Sequence, residues 1–135
     1  MGDELTEEDM ELLIEVFSEW ARENPGATVI IDGVEYSASQ LLTAMIGRTE
    51  LGIRFAQKLK SGLLDFFEAP SQSSVYDSIA AKVITQRSML LAFLYPQGLT
   101  YTNEQVADEI ASRSDFGKNY VKTLMKAGMS RVISS

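Results

Sequence analysis

Charged side chains at helical spacing are the residues of this sequence that could carry out chemistry. Five glutamates recur at every fourth position near the N-terminus: Glu7, Glu11, Glu15, Glu19 and Glu23. Three lysines repeat in the same way near the C-terminus: Lys118, Lys122 and Lys126. On a helix this spacing places like charges on successive turns, where they attract a surface of opposite sign. The chemistry that these residues predict is ionic recognition of a partner.

Catalytic chemistry has little support in the residue types present. The chain has 135 residues and contains no Cys and no His. Their absence removes thiolate nucleophiles, disulfides, the commonest general base and the commonest zinc ligands. A serine nucleophile would then need a lysine or carboxylate base, and no Ser-x-x-Lys motif, phosphate-binding glycine loop or calcium loop occurs. We therefore predict a protein that is not an enzyme, with no catalytic residues, no metal site and no cofactor.

The charge is unevenly distributed along the chain. There are 12 basic and 19 acidic residues, which gives a formal net charge of −7. Residues 1–24 hold nine acids and one Arg, so that segment has a net charge of −8 and the rest of the chain +1. We call the five glutamates the acidic stripe and the three lysines the lysine stripe. Either the two stripes attract each other, within one chain or between copies, or both are solvated surface whose ion pairs contribute only about 0–1 kcal/mol each.

Arg87 is the most unusual single residue. It falls among the apolar positions of a helix predicted over 75–94, where an unpaired charge would be unfavourable. One interpretation is structural, with Arg87 paired to an acid of another segment. The other is functional, because Arg is enriched at the energetic centres of protein interfaces.

Local signals divide the chain into helices and one hairpin. Thr6 is predicted to cap a helix over 6–23, and Asn24-Pro25-Gly26 to end it. Asp32-Gly33 favours a two-residue hairpin turn. Further helices are predicted over 38–46, 50–67, 75–94, 104–112 and 115–128, the last two capped by Asn103 and Ser114. We expect a single domain over 1–135 that is all-α, with about five main helices and one small N-terminal β-hairpin.

The two halves of the chain resemble each other at a shift of 65 residues. The densest match aligns Arg48-Thr49-Glu50-Leu51-Gly52 with Arg113-Ser114-Asp115-Phe116-Gly117. In both copies a short helix ends at Arg, and a hydroxyl residue followed by an acid begins the next helix. This pattern predicts a duplicated turn-helix-helix unit over 30–64 and 95–129, preceded by helices over 6–23 and 75–94. Coincidence of helix-capping signals is the alternative.

These features favour a protein that works by binding. The leading interpretation is a non-catalytic protein–protein interaction module, an adaptor, regulator or inhibitor, whose partner contacts the acidic stripe and Arg87. The alternative is a regulator that binds nucleic acid through a helix-turn-helix over 103–126 and the lysine stripe, although the acidic composition argues against it. Self-association into a homo-oligomer is left open. The acidic N-terminus and the lack of a long apolar run predict a cytoplasmic protein with no membrane contact.

Overall fold

The computed structural model describes residues 5–70, 72, 74–85 and 101–134. This part of the chain contains six helices and one two-stranded antiparallel sheet. In chain order the elements are α1 (Glu7–Glu23), β1 (Thr28–Ile31), β2 (Val34–Ser37), α2 (Ala38–Ile46), α3 (Glu50–Phe66), α4 (Val75–Thr85), α5 (Asn103–Ala111) and α6 (Asp115–Ser134). The predicted fold class, mostly helical with a small N-terminal hairpin, is confirmed. Arg87 and the rest of the predicted helix beyond Thr85 lie outside the described residues.

Helix α1 is the element whose sequence signals are clearest. The Thr6 hydroxyl accepts a hydrogen bond from the Asp9 main-chain N–H at 3.0 Å, as expected of an N-cap. One face of α1 is fully buried, including Leu13 and Phe17. This face packs against α2, α3 and α6. At its C-terminal end, the Trp20 indole N–H donates to the Ser130 hydroxyl of α6 at 3.0 Å, which fixes the two helices side by side.

The hairpin turns at Asp32-Gly33, as predicted. Both turn residues have positive φ, 51° and 81°, which is the conformation that a tight hairpin turn requires. Val29 and Ile31 of β1 are buried against the helices. The Asp32 carboxylate forms ion pairs with Arg54 and Lys58 of α3, so the turn is held against that helix.

The α2–α3 and α5–α6 junctions have matching local geometry at the 65-residue shift. Arg48 and Arg113 each lie two residues after the end of their helix and have positive φ, 52° and 58°. A Cβ atom added to Gly52 would clash with the Ala44 carbonyl, and one added to Gly117 would clash with the carbonyl of Glu109. The caps also correspond, with reciprocal hydrogen bonds between Ser37 and Gln40 and between Thr102 and Gln105. Because residues 95–100 of the second unit lie outside the described residues, the duplication stays a prediction.

Two predicted helix boundaries are wrong. Helix α5 is capped by Thr102, one residue earlier than expected, because Thr102 and Gln105 form a capping box. Helix α6 does not stop near Gly128 but continues to Ser134. A Cβ atom on Gly128 would lie 2.8 Å from the Phe67 ring and 3.1 Å from the Leu63 side chain. This glycine therefore allows α3 and α6 to approach closely and does not terminate a helix.

Candidate interaction surfaces

Three of the five acidic-stripe residues form ion pairs with other elements. Glu7 pairs with Arg48 at the α2–α3 junction, Glu15 pairs with Lys122 at 2.9 Å, and Glu23 pairs with Lys126. Successive glutamates are rotated by about 40° because four residues exceed one helical turn. The stripe therefore winds around α1 and faces the α2–α3 junction at one end and α6 at the other. Glu11 and Glu19 are exposed and form no ion pair within the described part of the chain.

The lysine stripe lies beside α1. Lys122 and Lys126 contact Glu15 and Glu23, and the hydrogen bond that Lys126 donates to Glu23 raises the pKa of Lys126 above its ordinary value. Lys118 is exposed near the start of α6. The structure thus brings the two stripes together within one chain, the first of the arrangements considered above. Binding of any outside partner to Lys122 or Lys126 would compete with the carboxylates of α1.

A second charged cluster surrounds Arg113, which sequence reasoning treated only as the end of a helix. Its guanidinium donates to both Glu8 carboxylate oxygens, at 2.7 and 2.9 Å, and to Asp77 at 3.2 Å. These hydrogen bonds lower the pKa of Glu8 and raise that of Arg113. The guanidinium also lies 4.8 Å from the centre of the Tyr76 ring, and burial raises the pKa of Tyr76 to about 12. The cluster connects α1 and α4 to the α5–α6 junction.

A fully buried ion pair connects α1 to α3. Lys60 is 1% exposed and Asp9 0%, and the Lys60 ammonium lies 2.8 Å from the Asp9 Oδ2 atom. The other oxygen of Asp9 accepts from the Val75 main-chain N–H at 2.8 Å, at the start of α4. Asp9 is one of the three acids in the first turn of α1, a position where an acid ordinarily complements the helix dipole. The missed signal is that Lys60 falls at an apolar position of α3, between the buried residues Ala56 and Leu64.

Among the described residues, four of the five exposed large aliphatic side chains lie between residues 30 and 64, and the fifth is Ile84. We call the following residues the N-terminal apolar set: Ile30, 71% exposed, Val34, 50%, Ile46, 58%, and Ile53, 38%. At the 65-residue shift, the last two correspond to Ala111 and Lys118, which are also exposed. The two junctions therefore share a backbone geometry but present different side chains to solvent, aliphatic in one and small or cationic in the other.

The described residues contain no group of three or more potential metal-ligating side chains. No helix among them combines the length and apolar character needed to cross a bilayer. Comparisons with protein-family models, with curated proteins and with solved structures find no match for this chain.

Proposed function

We propose that this protein is a non-catalytic protein–protein interaction module, of the adaptor, regulator or inhibitor type, which binds its partner through a surface that includes the exposed isoleucines Ile46 and Ile53. The observation that carries the proposal is the contrast between the two junctions. Ala111 and Lys118 occupy positions of matching local geometry to Ile46 and Ile53. The fold therefore has no need of isoleucine at these exposed positions. Exposed aliphatic side chains that cluster on a folded surface are typical of a contact with another protein, and Ile46 and Ile53 flank the same α2–α3 junction.

The charged stripes have a different role in this proposal. Glu7, Glu15 and Glu23 neutralise cations of the same chain and orient α1 against its neighbours. Such exposed pairs contribute little stability but favour one packing arrangement over others. Glu11 and Glu19 remain to attract a basic rim on the partner. We therefore place the centre of the proposed interface at the exposed aliphatic side chains, whereas the sequence alone favoured the acidic stripe.

Nucleic-acid binding ranks second for a specific reason. A phosphate group approaching Lys122 or Lys126 would have to displace Glu15 or Glu23, and the displaced carboxylate would remain beside the phosphate. Counterion release by lysines drives such binding, and lysines already neutralised within the chain contribute less of it. Only Lys118 among the three forms no ion pair in the described residues.

Affinity capture from the native host tests the proposal. The bait proteins are the wild type, the double variant Ile46→Lys/Ile53→Lys and the control Ala111→Lys. The control places the same charge at the matching position of the other junction. Each bait is first checked for a native urea-unfolding curve, since exposed substitutions should change stability by less than about 0.5 kcal/mol.

We expect a protein that is captured by the wild type and by Ala111→Lys, and lost with the double variant. The same protein, once purified, should bind the double variant at least roughly 100-fold more weakly, as expected when two central aliphatic contacts are lost. Equal capture by all three baits would overturn the proposal. Capture of nucleic acid alone, lost on treatment with nuclease, would favour the second candidate.

A further inference from the structure

Strand β1 has one edge that no other part of the described chain covers. The two-residue turn makes Ile31 and Val34 the closing hydrogen-bonded pair of the hairpin. The pattern continues at the hairpin's open end, where the Ala38 N–H donates to the Ala27 carbonyl at 3.2 Å. The main-chain groups of Thr28 and Ile30 must therefore point away from β2. Both residues are exposed, and neither forms a main-chain hydrogen bond at that edge within the described residues.

The edge of β2 differs in two ways. The outward N–H of Ser37 already donates to the Gln40 side chain at 2.8 Å, as part of the capping box of α2. The other outward residue of β2 is Glu35, whose charge opposes pairing with a like strand. Strand β1 contains no charge and no proline, and all four of its residues are β-branched. Natural proteins rarely leave such an edge without protection.

We propose that the β1 edge binds the β1 edge of a second copy of this chain and forms a four-stranded antiparallel sheet across a twofold axis. With Val29 opposite its own symmetry mate, Thr28 of each chain pairs with Ile30 of the other. This register satisfies every outward N–H and C=O group of Thr28 and Ile30, with four hydrogen bonds in the dimer. It places no charged residue opposite a like charge. An isologous contact of this kind closes at two chains.

The self-complementarity of β1 is the reason for choosing a second copy over a foreign peptide. A foreign strand could form the same main-chain hydrogen bonds with β1, but a second copy of β1 also supplies side chains that pack against those of the first. The exposed Ile30 meets the methyl group of Thr28 on the outer face, and Val29 meets Val29 on the inner face. The proposal is independent of the helical positions Ile46 and Ile53, so each can fail without the other.

Concentration-dependent amide exchange, followed by nuclear magnetic resonance, tests the contact at single residues. In the monomer, the Thr28 and Ile30 amides exchange rapidly, whereas the Val29 and Ile31 amides, which point to β2, are protected. Raising the protein concentration should protect Thr28 and Ile30 in step with dimer formation measured by sedimentation equilibrium. Val29 and Ile31 are internal controls that should remain protected at every concentration.

Two variants and two controls complete the test. Ile30→Pro removes the outward donor without breaking a hairpin hydrogen bond and should raise the dimer dissociation constant roughly tenfold to a hundredfold. Ile30→Lys, which leaves the backbone intact, should act in the same direction through repulsion between the two lysines across the axis. The control Glu35→Pro, on the other edge, should dimerise like the wild type, as should Ile46→Lys/Ile53→Lys.

The results separate the proposal from its competitors. A wild type that is monomeric at all concentrations overturns it, as does a dimer in which the Thr28 and Ile30 amides still exchange rapidly. Protection of these amides only when a different protein or peptide is added would assign the edge to a foreign strand and also overturn it. Loss of dimer by both Ile30 variants, with Glu35→Pro unaffected, would support it.

Discussion

Replacing Lys60 with Met removes an ammonium group that is 1% exposed and lies 2.8 Å from a carboxylate oxygen of Asp9. Met has nearly the same length and fills the same space, so the change leaves packing largely intact. The Asp9 carboxylate then remains buried without its counterion and keeps the hydrogen bond from the Val75 N–H. Breaking a buried pair on one side costs about 3–5 kcal/mol. Because a domain of this size is stable by about 5–15 kcal/mol, the variant should unfold at a much lower urea concentration.

A neighbouring lysine on the same helix supplies the control. Lys58 is exposed and lies 3.4 Å from Asp32, so Lys58→Met should cost at most about 1 kcal/mol. The fluorescence of Trp20, the single tryptophan, reports on unfolding because this side chain is 6% exposed and hydrogen-bonded to Ser130. Urea titrations of the wild type and the two variants then give the free energies of unfolding directly.

A double-mutant cycle separates the ion pair from general damage. Asp9→Asn alone leaves the buried Lys60 ammonium without its counterion and should also lower the free energy of unfolding by about 3–5 kcal/mol. In Asp9→Asn/Lys60→Met neither charge of the pair remains, and the Asn oxygen can still accept from the Val75 N–H. The double variant should therefore lose several kcal/mol less unfolding free energy than the two single variants lose together. The reasoning is refuted if Lys60→Met stays within about 1 kcal/mol of the wild type, or if the two losses simply add.

Three further outcomes are expected from other contacts. Gly117→Ala should destabilise the protein by about 3 kcal/mol or more in urea titrations, because the added Cβ atom would clash with main-chain atoms of α5. In the control Gly47→Ala the added Cβ atom would lie 3.4 Å from its nearest neighbour, so stability should change by less than about 1 kcal/mol. The pKa of Glu8 is lower in the folded chain than its ordinary value of 4.5, so the hydrogen bonds that Glu8 accepts from Arg113 stabilise the fold above pH 4.5 and are lost as the pH falls through the folded pKa. In Glu8→Gln, the free energy of unfolding should therefore fall less steeply below pH 4.5 than in the wild type. An unchanged dependence of stability on acid pH would contradict this. Lys122→Ala should cost less than about 1 kcal/mol at low salt and still less at about 1 M salt. A larger, salt-independent loss would contradict the assignment of the Glu15–Lys122 pair as a partly exposed ionic contact.

The helices and the hairpin could be predicted because their signals are local. Thr6, the Asp32-Gly33 turn and Thr49 act on main-chain groups within four residues, so their effects can be deduced without knowing the fold. The same locality explains one wrong boundary. A glycine near the end of an apolar pattern resembles a helix stop, but Gly128 instead leaves room for the Phe67 ring, which follows the last residue of α3.

Contacts between distant segments could not be predicted in detail. Asp9 and Lys60 are 51 residues apart, and nothing in either local pattern identifies the other as its partner. The acidic and lysine stripes were recognised as complementary, but only the three-dimensional packing of α1 beside α6 distinguishes pairing within one chain from pairing between copies. The N-terminal apolar set was missed for a related reason. An exposed isoleucine and a buried one have the same local signature, and burial depends on the whole fold.

The most direct measurement of the proposed function is site-specific cross-linking in the native host. A photo-activatable amino acid replaces Ile53 in one version of the protein and Lys118, the corresponding residue of the other unit, in a second version. We expect a covalent adduct with one partner protein from position 53 and no such adduct from position 118. Absence of any adduct at position 53, or the same adduct from both positions, would contradict it.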